Sequence, residues 1–402
     1  MTADGSTAKS FRRRVFYIPG YDPIHPRRYR ELYRREGKSQ AVISGYQIDL
    51  KPKKGSGPYG WHVQGLIDGQ RAEASVEVLV WSDIVRGSMD QGIFATYLQL
   101  IRTAWAYIGS GALFRLAGLR QGPMIAALYP MAMLLAQLGL AVLLGFGVAG
   151  VMALWPLLAW PAVSFGLAAG WLLLRWFKRQ DHRLFAHYLM HDYAYSAQAG
   201  GANPPELEAR MVAFRQTIAE AMAGPYDEVL VVGHSSGAHL AVSILADLIR
   251  SGVQGPALGL LTLGQVVPMV SFLPKAVRLR ADLAYLSARR EITWVDVTAP
   301  GDGCAFALCD PVSVTGVAPP DKVWPLVMSA AFTQTLSPER WKELRWKFFR
   351  LHFQYLCAFD RPGDYDYFRI TAGAQTLAAR YAGRAPSKSR IETPRSGYRS
   401  IT

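Results

Sequence analysis

At 402 residues the chain has room for one full-sized catalytic domain with an insertion. Forty-four Lys and Arg against 30 Asp and Glu give a net charge of +14, which fits anionic head groups or nucleic acid; basic and aromatic residues do not interleave, so no nucleic-acid partner is expected. Three cysteines without a CxxC pair exclude a disulfide framework, and the lack of a P-loop or G-x-G-x-x-G leaves no cofactor implied.

The N-terminal residues MTADGSTAKSFRRRVFYIPG pass from polar positions straight into a short apolar strand ending at Gly20, with no stretch of signal-peptide length. Segments around GYQIDL, GWHVQGLIDG and VEVLVWSD continue the β pattern, separated by the turn chemistry of KKGSGP and DGQ. Residues 11–83 are therefore expected to form the N-terminal part of an α/β core.

Residues 84–180 read differently. Phe94, Tyr97, Leu98, Ile101, Trp105 and Ile108 recur at helical spacing opposite Gln99, Arg102 and Thr103, as an interfacial helix or a helix packed on the core would require. Between Arg120 and Arg175 there is no charged residue over about 54 positions, whereas one membrane crossing needs ~20. A hairpin is expected, with spans near 124–146 and 152–174 and a turn around Gly145, Gly147 and Gly150. Arg115 and Arg120 precede it, Arg175, Lys178, Arg179 and Arg183 follow it, and its turn is uncharged, which predicts two spans in the inner membrane with both termini cytoplasmic. The lipid bilayer is the expected partner; the sequence leaves oligomeric state open. His187 and His191 stand four apart on a predicted helix, but no HExxH glutamate accompanies them and no metal site is expected.

Residues 181–382 carry the main core. PPELEARMVAFRQTIAEAM predicts a helix leading into the strand EVLVVG; a helix from Ser236 to Ile249, strand LGLLTLG, strand ITWVDVTA, a helical stretch near 322–340, strand RWKFFRLH and a last helix from about Tyr365 follow. Apolar strands separated by helices imply a mostly parallel sheet covered on both faces. Residues 383–402, polar and basic, are expected to be a disordered tail.

The chemistry centres on Gly233-His234-Ser235-Ser236-Gly237, a G-x-S-x-G pattern with an apolar strand before it and an apolar-periodic helix after it. A sharp strand-to-helix turn would expose Ser235 as a nucleophile and aim the Ser236 N–H at a developing oxyanion. A serine needs a base, and of eight histidines only His352 lies beyond the Ser235 helix. The acid is expected after ITWVDVTA: Asp302 in Pro-Gly-Asp-Gly is the preferred residue, with Asp310 and Asp296 as alternatives. Tyr21, following Gly20, is the candidate second oxyanion donor.

VVGHSSGA, TLGQ, VTAPGDG and HFQYL together resemble the serine α/β-hydrolase superfamily over roughly 11–83 and 205–380. The resemblance implies a Ser235, Asp302 and His352 triad, a mostly parallel sheet of about eight strands, and hydrolysis of an ester or related acyl bond. It departs in having IPGY where an HGGG-type oxyanion loop is usual, and antiparallel segments after the first strand rather than before it. The expected function is a membrane-anchored serine hydrolase acting on a small-molecule or lipid acyl ester. The alternatives are an acyltransferase or thioesterase with the same triad and a non-catalytic membrane scaffold.

Overall fold

A computed structural model describes residues 10–402. Eight strands form one sheet: β1 (Phe11–Ile18), β2 (Gln47–Pro52), β3 (Gly60–Ile67), β4 (Gln70–Val78), β5 (Glu228–His234), β6 (Ala257–Leu263), β7 (Ile292–Thr298) and β8 (Leu326–Ser329). Their order is β2-β3-β4-β1-β5-β6-β7-β8. From β4 to β8 every neighbouring pair is parallel, while β2–β3 and β3–β4 are antiparallel and form one edge.

The central strands are apolar on both faces because helices cover both. In β5, Val229 and Val231 enter the core that holds the helix Gly237–Arg250, and Leu230 and Val232 enter the opposite core with Tyr355 and Phe368. The period-2 alternation therefore sorts one strand between two cores. The antiparallel edge follows the first strand in sequence, as expected, and the α/β architecture with a mostly parallel, helix-flanked sheet agrees with the sequence reading.

Four readings differ from the structure. A helix over Arg27–Ser44 lies between β1 and β2 where the sequence reading gave none; it is highly polar and buries Tyr29, Tyr33 and Gln40 rather than an aliphatic stripe. The last strand and the helix before it are exchanged: RWKFFRLH holds the short helix Phe348–His352, while the last strand, Leu326–Ser329, lies inside the stretch near 322–340 that was expected to be helical. The C-terminal residues 383–402 lie along the domain, with Ile391 N donating to Leu308 O at 2.7 Å, Arg395 N to Val314 O at 2.8 Å, and Ser396 buried.

The fourth difference concerns the apolar insertion. Among the described residues one helix, Gln121–Ala153, is long and apolar enough to cross a membrane. The turn falls at residues 154–161, and Gly145, Gly147 and Gly150 sit inside the helix. The following helix, Ala162–Arg179, ends in Arg175, Lys178 and Arg179 and does not qualify as a span by itself, so two spans at 124–146 and 152–174 are not reproduced. Small residues instead let the two helices touch: a Cβ on Gly166 would stand 2.5 Å from Gly145 O, and one on Gly170 would stand 2.8 Å from Ala141 O.

The helix Ile93–Gly109 carries apolar residues on its exposed face as well as on its buried one. It buries Ile93, Thr96, Leu100, Thr103 and Tyr107, and leaves Phe94, Leu98, Ile101, Trp105 and Ile108 exposed. Of the two roles its apolar stripe allowed, packing on the core is realised only at Tyr97, which is partly buried and donates to Leu134 O at 3.0 Å.

Candidate functional site

The G-x-S-x-G turn is tight for a steric reason. Ser235 has φ +56°, a left-handed conformation that L residues seldom adopt and that persists only when the surroundings enforce it. Here the enforcement is close contact. A Cβ on Gly233 would stand 2.7 Å from Gly237 O, one on Gly237 would stand 2.2 Å from Ile18 O, and one on Gly20 would stand 2.9 Å from the Ser235 Cβ. The Ser235 N–H is tied to Leu263 O at 2.9 Å, so the turn is anchored to β6 as well as to β1.

Of the three candidate acids, the fold brings one to His352. Asp302 Oδ2 lies 2.7 Å from His352 Nδ1, accepts the Tyr355 hydroxyl at 3.0 Å, and Oδ1 accepts the Cys304 N–H at 2.9 Å. Burial by itself would raise the Asp302 carboxyl; the adjacent imidazole and these hydrogen bonds overcome it and hold the group below the ordinary range. Asp310 instead caps the helix Pro311–Thr315 through Val312 N and Ser313 N and pairs with Lys322 at 2.6 Å. Asp296 is buried within β7 and accepts the Thr262 hydroxyl at 2.6 Å. Both alternatives are structural here.

His352 is fixed from several sides. Tyr355, one turn on, accepts the Ala299 N–H at 2.9 Å while donating to Asp302. His234, the variable residue before the serine, lies 4.8 Å from the imidazole between ring centroids, and its Nε2 meets His352 O at 3.0 Å. Burial, with the His352 charge adding to it, lowers His234 to about 3, so it stays neutral. Gly264, at φ +54°, leaves room for the Tyr355 and His352 rings; a Cβ there would stand 2.7 Å from Tyr355 Cε2 and 3.0 Å from His352 Cε1. His352 Nε2 is buried and has no hydrogen-bond partner among the described residues, so Ser235 Oγ shares its cavity but makes no hydrogen bond to it.

The loop after β1 is equally fixed. Trp81 Nε1 donates to Pro19 O at 2.9 Å, the Tyr188 hydroxyl donates to Tyr21 O, and the Tyr21 hydroxyl meets Ser88 Oγ at 2.5 Å. Neither the Tyr21 nor the Ser236 main-chain N–H donates to another backbone group among the described residues. Both residues line the same cavity of about 800 Å³ as Ser235 and His352. Sequence reasoning had no route to Trp81 or Tyr188, because each acts through a contact distant in the chain. Tyr355 carried a faint signal, being three positions after the histidine.

Asp192 also lines this cavity. Burial pushes the Asp192 carboxyl up to about 7, with the His352 charge pulling the other way. Asp302, Cys304 and His352 place three ligand-type atoms together, yet the imidazole nitrogen and the carboxylate are engaged with each other, and burial pushes the Cys304 thiol up, away from the thiolate a metal prefers. Of the other histidine pair, His191 Nδ1 meets Gln99 Oε1 at 2.8 Å, and His187 Nδ1 has no partner among the described residues.

No family model, curated protein or solved structure matches the chain.

Proposed function

We propose that the protein is a membrane-anchored serine hydrolase with an α/β-hydrolase-like core, cleaving an ester or related acyl bond through Ser235, His352 and Asp302. The observation that carries the reading is one constellation: a strained serine at φ +56° in the same cavity as an imidazole whose far nitrogen is held by a buried carboxylate. In this reading His352 takes the Ser235 proton as the hydroxyl attacks the acyl carbonyl, and returns it to the leaving group. Asp302 stabilises the transient imidazolium and fixes its tautomer. The Ser236 and Tyr21 N–H groups receive the oxyanion, and water enters along the same path to release the acid.

Membrane attachment rests on exposure and levels. Leu135, Leu143 and Phe146 are 55%, 69% and 74% exposed on the long helix, and Trp155 and Trp160 stand out at its tip. Gly145 faces Gly166 and Ala141 faces Gly170, so Arg175 stands level with Ala136. From there to Ala153 is a rise of roughly 26 Å at 1.5 Å per residue, somewhat under the ~30 Å apolar thickness of a bilayer. The paired helices thus enter the membrane together, with the tip at the far interface and Arg175, Lys178, Arg179 and Arg183 on the cytoplasmic side with the catalytic domain.

The test is hydrolysis of p-nitrophenyl butyrate by the full chain in nanodiscs. Turnover by the wild type that disappears in Ser235→Ala is the expected result; turnover unchanged by Ser235→Ala contradicts the reading.

A further inference from the structure

Resting on that hydrolase reading, we infer that the cavity takes a single-chain acyl ester with an anionic head group, drawn from the cytoplasmic leaflet. One cavity wall is the foot of the long helix itself, through Pro123, Ile125 and Tyr129. An acyl chain beside that helix therefore reaches Ser235 along protein and lipid, without crossing water. At about 800 Å³ the space lies within the ~300–1,000 Å³ typical of small-ligand sites, which suits one chain and its head.

The rim supplies the charge. Arg183, Lys347 and Arg350 border the cavity. Lys347 and Arg350 share a single carboxylate, Glu343, each at 3.0 Å, and Arg183 has no ion-pair partner among the described residues. Of the acids that face the cavity, Asp22 accepts the Tyr29 hydroxyl at 2.6 Å and sits 3.8 Å from Arg28, while burial keeps Asp192 largely protonated below about pH 7. The entrance thus carries surplus positive charge.

Its level matches a head-group layer. Tyr129 donates to Leu184 O at 2.7 Å, which sets the Arg183 side of the rim seven residues below Ala136 on the long helix. That is roughly 10 Å on the domain side of Arg175 at 1.5 Å per residue. Bilayer head groups occupy about 5–8 Å beyond the hydrocarbon on each side, so the rim lies at or just under them. Beside Lys347, Trp346 is 72% and Phe348 49% exposed, an alternation of aromatic and cationic side chains suited to that interface.

The experiment uses the full chain in phosphatidylcholine nanodiscs and compares three palmitoyl substrates: lysophosphatidylglycerol in the bilayer, neutral monopalmitoylglycerol in the bilayer, and palmitoyl-CoA in solution. The expected result is a kcat/KM for the anionic lipid about tenfold above the neutral one, the ratio that one charge-assisted contact supports. Arg183→Gln, Lys347→Gln and Arg350→Gln combined bring the ratio toward one, and so does raised salt; a ratio within one variant cancels any loss common to both substrates. Equal rates on the two lipids in wild type overturn the head-group assignment, and preference for soluble palmitoyl-CoA overturns the membrane source. Fluorophosphonate labelling of the same sample separates the two levels: a labelled enzyme with no head-group preference defeats only this inference, and an unlabelled, inactive one defeats the hydrolase reading too.

Discussion

Asp302→Asn tests the acid directly, because three donors converge on its carboxylate. His352 Nδ1 and the Tyr355 hydroxyl meet Oδ2, and the Cys304 N–H meets Oδ1. An amide has one acceptor oxygen, so whichever way it turns, its NH₂ confronts a donor. Facing Cys304, it leaves a main-chain N–H unsatisfied, at a cost of about 1–3 kcal/mol in stability. Facing His352, it selects the wrong tautomer and removes the base. Both orientations abolish the charge opposite the imidazolium. Converting such an orienting carboxylate to an amide lowers turnover by about 10⁴, or roughly 5 kcal/mol of transition-state stabilisation. The assay is the second-order rate of fluorophosphonate phosphonylation, read beside the melting temperature in the same nanodiscs. A melting temperature lowered by a few degrees with labelling slowed at least a thousandfold is expected. Labelling of Asp302→Asn within threefold of wild type, or a large loss in Asp310→Asn instead, refutes the assignment.

Asp192 gives a stability prediction with a definite sign. Its folded value is raised to about 7 from an ordinary 3.8, so the fold opposes its charged form. The penalty is absent below about pH 4, grows as pH rises to about 7, and is constant above. Asp192→Asn therefore melts with wild type at pH 4 and increasingly above it up to pH 7; a gain that is the same at every pH contradicts this. Trp160→Cys reacts with a membrane-impermeant maleimide added outside intact cells, whereas Thr402→Cys does not, if the helical pair crosses with its ends inside; the reverse pattern reverses the orientation. Deleting residues 383–402 removes the backbone bonds to Leu308 and Val314 and lowers the melting temperature measurably; an unchanged melting temperature means the segment contributes nothing.

Some of this was legible in the sequence and some was not, for identifiable reasons. β5, β6 and β7 are buried on both faces, so each reads as a near-continuous apolar run, and the turn after β5 carries its glycines at positions where a Cβ would collide. Asp302 and His352 could be singled out by chain order, and in the structure they stand 2.7 Å apart. RWKFFRLH was misread because aromatic and basic residues alternate as on a strand; Trp346 in fact projects outward ahead of a single helical turn and Phe348 from its first residue. Gly145 was taken for a turn, but a glycine that marks a turn in water marks close helix contact in an apolar pair. The tail's polar composition gave no hint of its docking, which uses main-chain groups that composition does not report.

The central claim is an activated serine at position 235. Membrane-embedded wild type, Ser235→Ala and His352→Ala should be exposed to a fluorophosphonate probe after each is checked for native melting. Labelling of wild type that is lost in both variants is the predicted result; a natively folded wild type that takes no label, or a Ser235→Ala variant that still does, contradicts it.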